Sequence, residues 1–118
     1  MVEYILSLDS VFSSLADATR RDILKRVGKK ALSVGQIAKF YDISFAGVAK
    51  HLKVLEKAKL IIKHRKGKEQ IVQLSPTAFK SAANYLGNYK AIWEYRFNAI
   101  DKLLSRQEAE KKSKYVKN

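Results

Sequence analysis

Residues 33–60, SVGQIAKFYDISFAGVAKHLKVLEKAKL, constrain the fold of this chain more than any other stretch. Their apolar spacing predicts two short amphipathic helices joined at Tyr41-Asp42-Ile43, the second beginning after a Ser44 N-cap and running to about Ala58. We expect Asp42 to take the left-handed backbone conformation there, because Asp tolerates it better than most residues other than glycine. The pattern is typical of a helix-turn-helix.

Residues near the start of the second helix suit contact with DNA. In a helix-turn-helix this part of the helix faces base edges, while nearby Lys, Ser and backbone amides hold phosphates. Two interpretations of Phe45 stay open, contact with a thymine methyl or a core anchor that closes the turn. Gly47 allows a close approach by a neighbouring helix, the more frequent case, or by a DNA backbone. The residues assigned to this surface are Ser44, Phe45, Gly47, Lys50, His51 and Lys53.

A basic β-hairpin is predicted next. Residues 60–74, LIIKHRKGKEQIVQL, read as two short strands around a turn, and their imperfect alternation indicates an edge hairpin. The tip of the hairpin has the shape and charge of a wing lying beside the same duplex. Its candidate DNA-binding residues are His64, Arg65, Lys66 and Lys68, and we consider Arg20 and Arg21 as further phosphate contacts.

The remaining helices indicate how two copies would associate. Helical spacing predicts a helix over 5–16, a second from an Asp17 N-cap to a stop at Gly28-Lys29-Lys30, and a long one from Pro76 to about Arg106. Large apolar residues on the long helix recur at steps of 3 and 4, which favours packing across a two-fold axis beside the first helix. The predicted dimer interface is Leu8, Val11, Phe12, Leu15, Leu86, Tyr89, Trp93, Phe97, Ile100 and Leu104.

These elements predict a mostly α fold with a small β-hairpin wing, in the order α/α/α/α/ββ/α. The chain of 118 residues is long enough for one domain, expected over 1–106. The basic residues 107–118 lose the apolar period and are expected to fray.

Charge and composition narrow the function further. The chain has 24 Lys and Arg against 11 Asp and Glu, a net charge of +13, which favours a polyanionic partner. It has no cysteine, and its two histidines lie on different predicted elements, so we expect neither a metal nor another cofactor. Because no nucleophile motif or glycine-rich phosphate loop is present, an enzyme is not expected. No signal peptide or membrane-length apolar run is recognised, so a cytoplasmic, nucleoid-associated protein is predicted.

The motifs together resemble the ArsR-type winged-helix repressors over about residues 10–104. SLADATRRDILKRV is similar to that family's opening helices, LSVGQIAKFYDIS with VAKHLKVLEKAKLI to its helix-turn-helix, and HRKGKEQIVQLSP to its wing. The resemblance implies a homodimer joined by its first and last helices that binds a palindromic operator. It also implies repression that is relieved by a ligand, a metal or oxidation.

Departures from the family indicate which branch this is. Ser33 and Gly35 stand where arsenic-sensing members carry cysteines, and residues 76–118 lack the histidines of zinc and nickel sensors. The run around Trp93 resembles instead a metal-independent branch, so any effector stays unknown. The family commonly has serine or threonine at the positions of Gly47 and Ala49, and glycine at the position of Lys59. We expect these differences to affect operator specificity more than DNA binding itself.

Two alternatives to a sequence-specific repressor stay open. One is an architectural protein that coats DNA without sequence preference, favoured by the charge and by the apolar start of the second helix. The other is an interaction module in which the winged helix docks on a protein.

Overall fold

The computed structural model describes the backbone of residues 2–116 and the side chains of residues 7–111. It divides into two compact units, Met1–Ala83 and Asn84–Asn118. A mainly helical chain with a small antiparallel sheet confirms the predicted fold class. The elements are α1 (Val2–Leu15), α2 (Ala18–Lys29), β1 (Leu32–Ser33), α3 (Val34–Ala38), α4 (Phe45–Lys57), β2 (Ile61–Lys66), β3 (Glu69–Leu74) and α5 (Pro76–Val116).

The first unit has an apolar core to which every one of its main elements contributes. Helices α2, α3 and α4 each turn a branched apolar face inward, because their apolar residues recur every three or four positions. Leu8 and Val11 of α1, predicted as dimer interface, are buried in the protomer at 6% and 1% exposure, whereas Phe12 and Leu15 are partly exposed. Residues with no more than 1% exposure include Val11, Ile23, Ile37, Val48, Leu52, Leu55, Leu60 and Val72.

The sheet has three strands in the order β1-β3-β2, with both pairings antiparallel. The sequence did not predict β1, since its two residues are too few to show an alternating pattern. It pairs Leu32 with Val72, and β3 is therefore the central strand. The prediction of an edge hairpin is wrong for β3, because Val72 is fully buried and β3 pairs on both sides.

A two-residue turn closes the hairpin of β2 and β3. Lys66 pairs with Glu69, which leaves Gly67 and Lys68 between the strands. Gly67 has φ of +64°, a conformation that glycine adopts without a steric penalty and that two-residue hairpin turns require at their first position. The turn fixes the register of the hairpin and thereby places its basic tip.

Serine and aspartate side chains begin three of the helices, as the sequence predicts. The backbone N–H of Arg20 donates to Asp17 Oδ1 at 3.0 Å, and that of Gly47 donates to Ser44 Oγ at 3.0 Å. At α3, Ser33 and Gln36 form a reciprocal capping box, with distances of 2.9 and 3.1 Å between side chain and backbone.

The predicted end of α2 is confirmed, whereas a predicted turn conformation is wrong. Helix α2 ends at Lys29 with Lys30 as its C-cap, within the predicted stop at Gly28, Lys29 and Lys30. Among the described residues other than glycine, Lys59 has a positive φ of 61° and Asp42 does not. Lys59 follows α4. The N–H of Leu60 donates to the carbonyl of Leu55 at 3.0 Å, and a helix end of this kind places Lys59, the residue before Leu60, in the left-handed conformation.

The second unit is the later part of α5. The sequence predicts fraying after Arg106, whereas the helix continues to Val116. It carries a series of large apolar side chains whose exposures lie between 40% and 77%. We define the α5 stripe as the six of them that the sequence assigns to the dimer interface: Leu86, Tyr89, Trp93, Phe97, Ile100 and Leu104. The described residues contain no helix long and apolar enough to cross a membrane.

Candidate nucleic-acid interface

Helix α4 has one buried face and one open face. Val48, Leu52 and Leu55 anchor it in the core, and this fixes the direction of the opposite face. On that opposite side Lys50 and Lys53 are exposed, as is the capping residue Ser44. The cations are therefore held on a rigid helix and remain accessible to a partner.

The first turn of α4 presents an apolar group to solvent. Phe45 is 62% exposed, so its interpretation as a core anchor is wrong, and contact with a thymine methyl remains the open one. Gly47 next to it is only half exposed. A Cβ added to Gly47 would lie 3.3 Å from Ser44 Oγ and 3.6 Å from Ile43 Cδ1. Its missing side chain therefore makes room for the cap and for Ile43, rather than for another helix.

His51 is tied to α2. Its ring is half buried, with Nδ1 3.3 Å from Arg20 Nη1 and 4.0 Å from Asp17 Oδ1. The backbone N–H of Arg20 holds the pKa of the Asp17 carboxyl below its usual range, and the charge of Arg20 acts in the same direction. His51 thus belongs both to α4 and to a polar contact between two helices.

Arg20 and Arg21, considered above as phosphate contacts, have other partners in the structure. Arg20 donates from Nε to the carbonyl of Ser14 at 2.7 Å and from Nη2 to that of Ser13 at 3.2 Å. Arg21 donates from Nη1 to the carbonyl of Leu15 at 2.7 Å. Both guanidinium groups satisfy carbonyls at the carboxyl end of α1, where a positive charge is favoured.

The turn between α3 and α4 is fastened to α2 by a polar cluster that the sequence did not reveal. The Tyr41 hydroxyl donates to Asp22 Oδ2 at 2.6 Å, and Arg26 Nε donates to the same oxygen at 2.8 Å. Burial and the Asp22 carboxylate raise the pKa of Tyr41 to about 12. The hydrogen bonds from Tyr41 and Arg26 in turn hold the pKa of Asp22 below its usual range. The Arg26 guanidinium also lies 3.9 Å from the ring centroid of Phe40.

The basic tip of the hairpin is open to solvent. Arg65 Nε donates to the carbonyl of Gly67 at 3.4 Å. At the base of β2, Lys63 Nζ lies 3.5 Å from Glu56 Oε1 of α4, which joins the hairpin to this helix. The four residues assigned to the wing, His64, Arg65, Lys66 and Lys68, are all exposed.

The start of α4 and the hairpin border one open cleft of about 440 Å³. Its lining combines apolar side chains such as Val34 and Leu52 with the polar groups of the hairpin. Of the candidate DNA-binding residues, Phe45 of the helix and Lys68 of the wing line this cleft of the first unit, and the others lie outside it. The lining is Ser33, Val34, Gly35, Phe45, Ala49, Leu52, Lys63, Lys68, Glu69 and Gln70.

Metal-ligating side chains do not cluster in the part of the chain that the structure describes, where no group of three or more His, Cys, Asp or Glu could hold an ion. A capped amphipathic helix following a short helix and a turn, with a basic two-stranded hairpin beside it, defines a winged helix-turn-helix protein.

Comparisons with known proteins agree with this class. A family model described as a helix-turn-helix domain matches residues 15–64. The HTH-type transcriptional regulator Rv2034 of Mycobacterium tuberculosis is 35% identical over 83 residues, covering 70% of this chain and 78% of that protein. The transcriptional repressor SdpR of Bacillus subtilis is 32% identical over 82 residues, covering 70% of this chain and 91% of that protein.

A solved structure extends the match to nearly the whole fold. The ArsR-like transcriptional regulator from Rhodococcus sp. RHA1 superposes with a TM-score of 0.68 at 29% identity, over 84% of this chain and 93% of that one. The chain belongs to the ArsR-type winged helix-turn-helix transcriptional regulators. It is a DNA-binding transcriptional regulator and not an enzyme.

Proposed function

We propose that this regulator is a homodimeric repressor that inserts α4 into the major groove of a near-palindromic operator. The observation that carries the proposal is the cleft at which the exposed start of α4 meets the basic hairpin. An α-helix fits the major groove, and the basic hairpin would lie along the flanking phosphates. A chain bound to DNA in this way would be found on the nucleoid.

Lys50 and Lys53 would supply the helix's positive charge, and Arg65, Lys66 and Lys68 that of the hairpin. All five are exposed, and the chain's net charge of +13 adds long-range attraction to the duplex. Phe45 would contact a thymine methyl, because its ring is 62% exposed at the first turn of α4 and an apolar side chain there can pack on that methyl.

The homodimer is supported by the exposed α5 stripe. Six large apolar side chains on one helix are costly to leave in water, and a second copy presents the same stripe for isologous packing. Repression is supported by the relative SdpR, a transcriptional repressor. In a two-fold dimer the two α4 helices would enter the groove about one helical turn, ~34 Å, apart, which makes the operator near-palindromic.

The test is fluorescence anisotropy with the duplex from upstream of the protein's own gene and with a scrambled duplex, at about 50 and 200 mM salt. The expected preference for the native duplex is ~10³ or more. Replacing both Lys50 and Lys53 with Ala should weaken binding and reduce the salt slope by about 2. The matched control replaces Lys80 and Lys102, two exposed lysines of α5, and should change the slope much less.

Other outcomes point to the alternatives. Equal binding of both duplexes with a steep salt slope would identify an architectural DNA-coating protein, which the absence of hydrogen-bonding side chains at Phe45, Ala46 and Gly47 favours. No binding to any duplex at low salt would identify a protein-interaction module and contradict the proposal.

A further inference from the structure

We propose that Arg20 is the positioning residue for His51: held by the end of α1, its guanidinium selects the tautomer in which His51 presents an Nε2–H donor to DNA. The inference rests on the proposed function for its DNA step only. The juxtaposition itself, Arg20 Nη1 at 3.3 Å from His51 Nδ1, is a property of the free chain.

The Arg20 guanidinium has little freedom to move. Its Nε and Nη2 atoms donate to two consecutive carbonyls, those of Ser14 and Ser13, at 2.7 and 3.2 Å. Ser14 is itself buried, and its hydroxyl donates to the carbonyl of Ser10 at 2.7 Å. A planar guanidinium held at two of its nitrogens directs the third along a fixed line, here toward the ring of His51.

This contact constrains the proton of the imidazole. Arginine carries N–H donors and no acceptor, so the nitrogen that faces it must be an acceptor. His51 Nδ1 therefore carries no proton in this contact, and the proton of the neutral ring is on Nε2. The competing partner is Asp17, whose Oδ1 lies 4.0 Å from the same Nδ1 and would accept from an Nδ1–H. Without Arg20, that carboxylate would favour the opposite tautomer.

The tautomer of His51 determines which groups on DNA this side chain of α4 can bind. An Nε2–H is a donor, and the acceptors that DNA offers are phosphate oxygens, guanine O6 and N7, adenine N7 and thymine O4. The first turn of α4 offers no hydrogen-bonding side chain at Phe45, Ala46 or Gly47. His51 is then among the few residues of α4 that can distinguish hydrogen-bond acceptors from donors on DNA. Arg20 determines which of these two kinds of group His51 recognises, because it fixes whether Nε2 carries the proton.

The contact between Arg20 and His51 also links helix α1 to helix α4. Arg20 joins the carboxyl end of α1 to α4, and α1 precedes the helices of the DNA surface. A change in the end of α1 would be transmitted through one guanidinium to a residue at the DNA surface. Lysine could not replace Arg20 here, because a single ammonium cannot hold two carbonyls and an imidazole in this planar arrangement.

The first experiment needs no DNA. Long-range ¹H–¹⁵N correlation NMR in mildly alkaline buffer reports which ring nitrogen of His51 carries the proton. The wild-type protein should show Nε2–H alone, and both Arg20→Gln and Arg20→Lys should show a population of Nδ1–H. Arg21→Gln is the matched control, since it removes the same charge and a carbonyl contact of α1 but no contact with His51. A wild-type-like tautomer in both Arg20 variants would overturn the inference.

The second experiment measures its effect on DNA. With a duplex that the wild-type protein prefers, Arg20→Lys should lose about tenfold in affinity, the size of one hydrogen bond, with an unchanged salt slope. Arg21→Gln should bind as the wild type, apart from the loss of one distant charge. In a double-mutant cycle, Arg20→Lys should have little further effect once His51 is replaced by Ala.

These outcomes separate the two proposals. A wild-type protein with no preferred duplex contradicts the proposed function, while the tautomer measurement still tests the role of Arg20. Additive losses in the cycle, or an Arg20→Lys variant that binds like the wild type, contradict the positioning role while leaving the repressor in place. A loss in Arg20→Gln that Arg20→Lys fully restores would identify Arg20 as a phosphate contact instead.

Discussion

The core of the first unit and the α5 stripe differ in the exposure of their apolar side chains. Leu55 and Ile37 of the core have 0% exposure, but Trp93 and Leu104 of the stripe are each 52% exposed. Both sets recur at helical spacing, so the sequence pattern alone does not distinguish them. This is the difference expected between a core buried within one protomer and a surface available to a second copy.

The two regions also differ in how their polar groups are satisfied. In the first unit three helices begin with side-chain caps, and two arginines satisfy the end of α1. In the second unit the ion pair between Lys90 and Glu94 is long, at 3.9 Å, and fully within one helix. Exposed pairs of this kind contribute little. The stability of α5 in its second unit should therefore depend on apolar packing against another molecule.

The largest expected effect is the loss of a core leucine. Leu55→Ala should reduce the free energy of unfolding by about 2–5 kcal/mol, because it removes buried methyl groups and leaves a cavity. Chemical denaturation followed by circular dichroism measures this change. Because Leu55 lies in the core of one protomer, this loss of stability should be the same at every protein concentration.

Leu104→Ala is the matched control, with the same chemical change at an exposed position of the α5 stripe. Its effect on unfolding should be small in dilute protein and should grow with concentration as dimers form. If the two leucine variants lose equal stability in dilute protein, the contrast between the two units does not hold.

The next effect concerns the α5 stripe itself. Trp93→Ala should weaken dimerisation by about 2 kcal/mol or more, or roughly thirtyfold, because a large aromatic side chain near the middle of the stripe is the type of residue that dominates interfaces. Sedimentation equilibrium or light scattering measures the dissociation constant. Tyr95→Ala provides the control, since Tyr95 is 77% exposed and lies off the stripe. A dimer that survives Trp93→Ala unchanged would assign the interface to another surface.

Much of this architecture was predictable from residue spacing and capping chemistry. Ser33, Ser44 and Asp17 begin their helices where the sequence places them, because an N-cap depends on neighbours within three residues. The hairpin was predictable from its basic two-residue turn, since Gly67 takes the positive φ that the turn needs. These features are local, and local patterns are visible in one sequence.

The features that the sequence did not reveal depend on contacts between distant residues. Strand β1 is a strand only because Leu32 meets Val72, and Arg20 meets His51 across 31 positions. Asp42 does not take the predicted left-handed conformation, and the neighbouring Tyr41 donates to Asp22 of α2, a residue 19 positions away. Composition predicted a basic surface, but these contacts decide which of its residues are free to bind DNA.

A smaller effect should come from the hydrogen bond between Tyr41 and Asp22. Tyr41→Phe should reduce the free energy of unfolding by ~1 kcal/mol near neutral pH, which denaturant titration can measure. The pKa of Tyr41 is raised to about 12 in the folded protein, so its contribution is complete below pH 10 and is lost as pH rises through 12. The lowered pKa of Asp22 adds stability above its ordinary range that is lost as pH falls.

The difference between wild type and Tyr41→Phe should therefore be greatest between these limits and should narrow toward both. A difference that stays constant into strong alkali would mean that the hydroxyl does not bond to Asp22. Because neither residue belongs to the predicted dimer interface, dimer dissociation measured near neutral pH should be the same in the two proteins.

The smallest expected effect is a gain, at the end of α4. Lys59 holds a left-handed φ of 61°, which costs a residue with a Cβ about 1–2 kcal/mol, whereas glycine adopts it freely but loses more entropy on folding. Lys59→Gly should therefore raise the free energy of unfolding by roughly 0.5 kcal/mol in thermal or chemical denaturation. Lys53→Gly, in the interior of α4, is the control and should lower it by ~1 kcal/mol. A gain in the free energy of unfolding with unchanged dimer dissociation would show that the core of the first unit and the α5 stripe respond separately. A loss of stability in Lys59→Gly would mean that the Lys59 side chain stabilises this helix end more than its backbone conformation strains it.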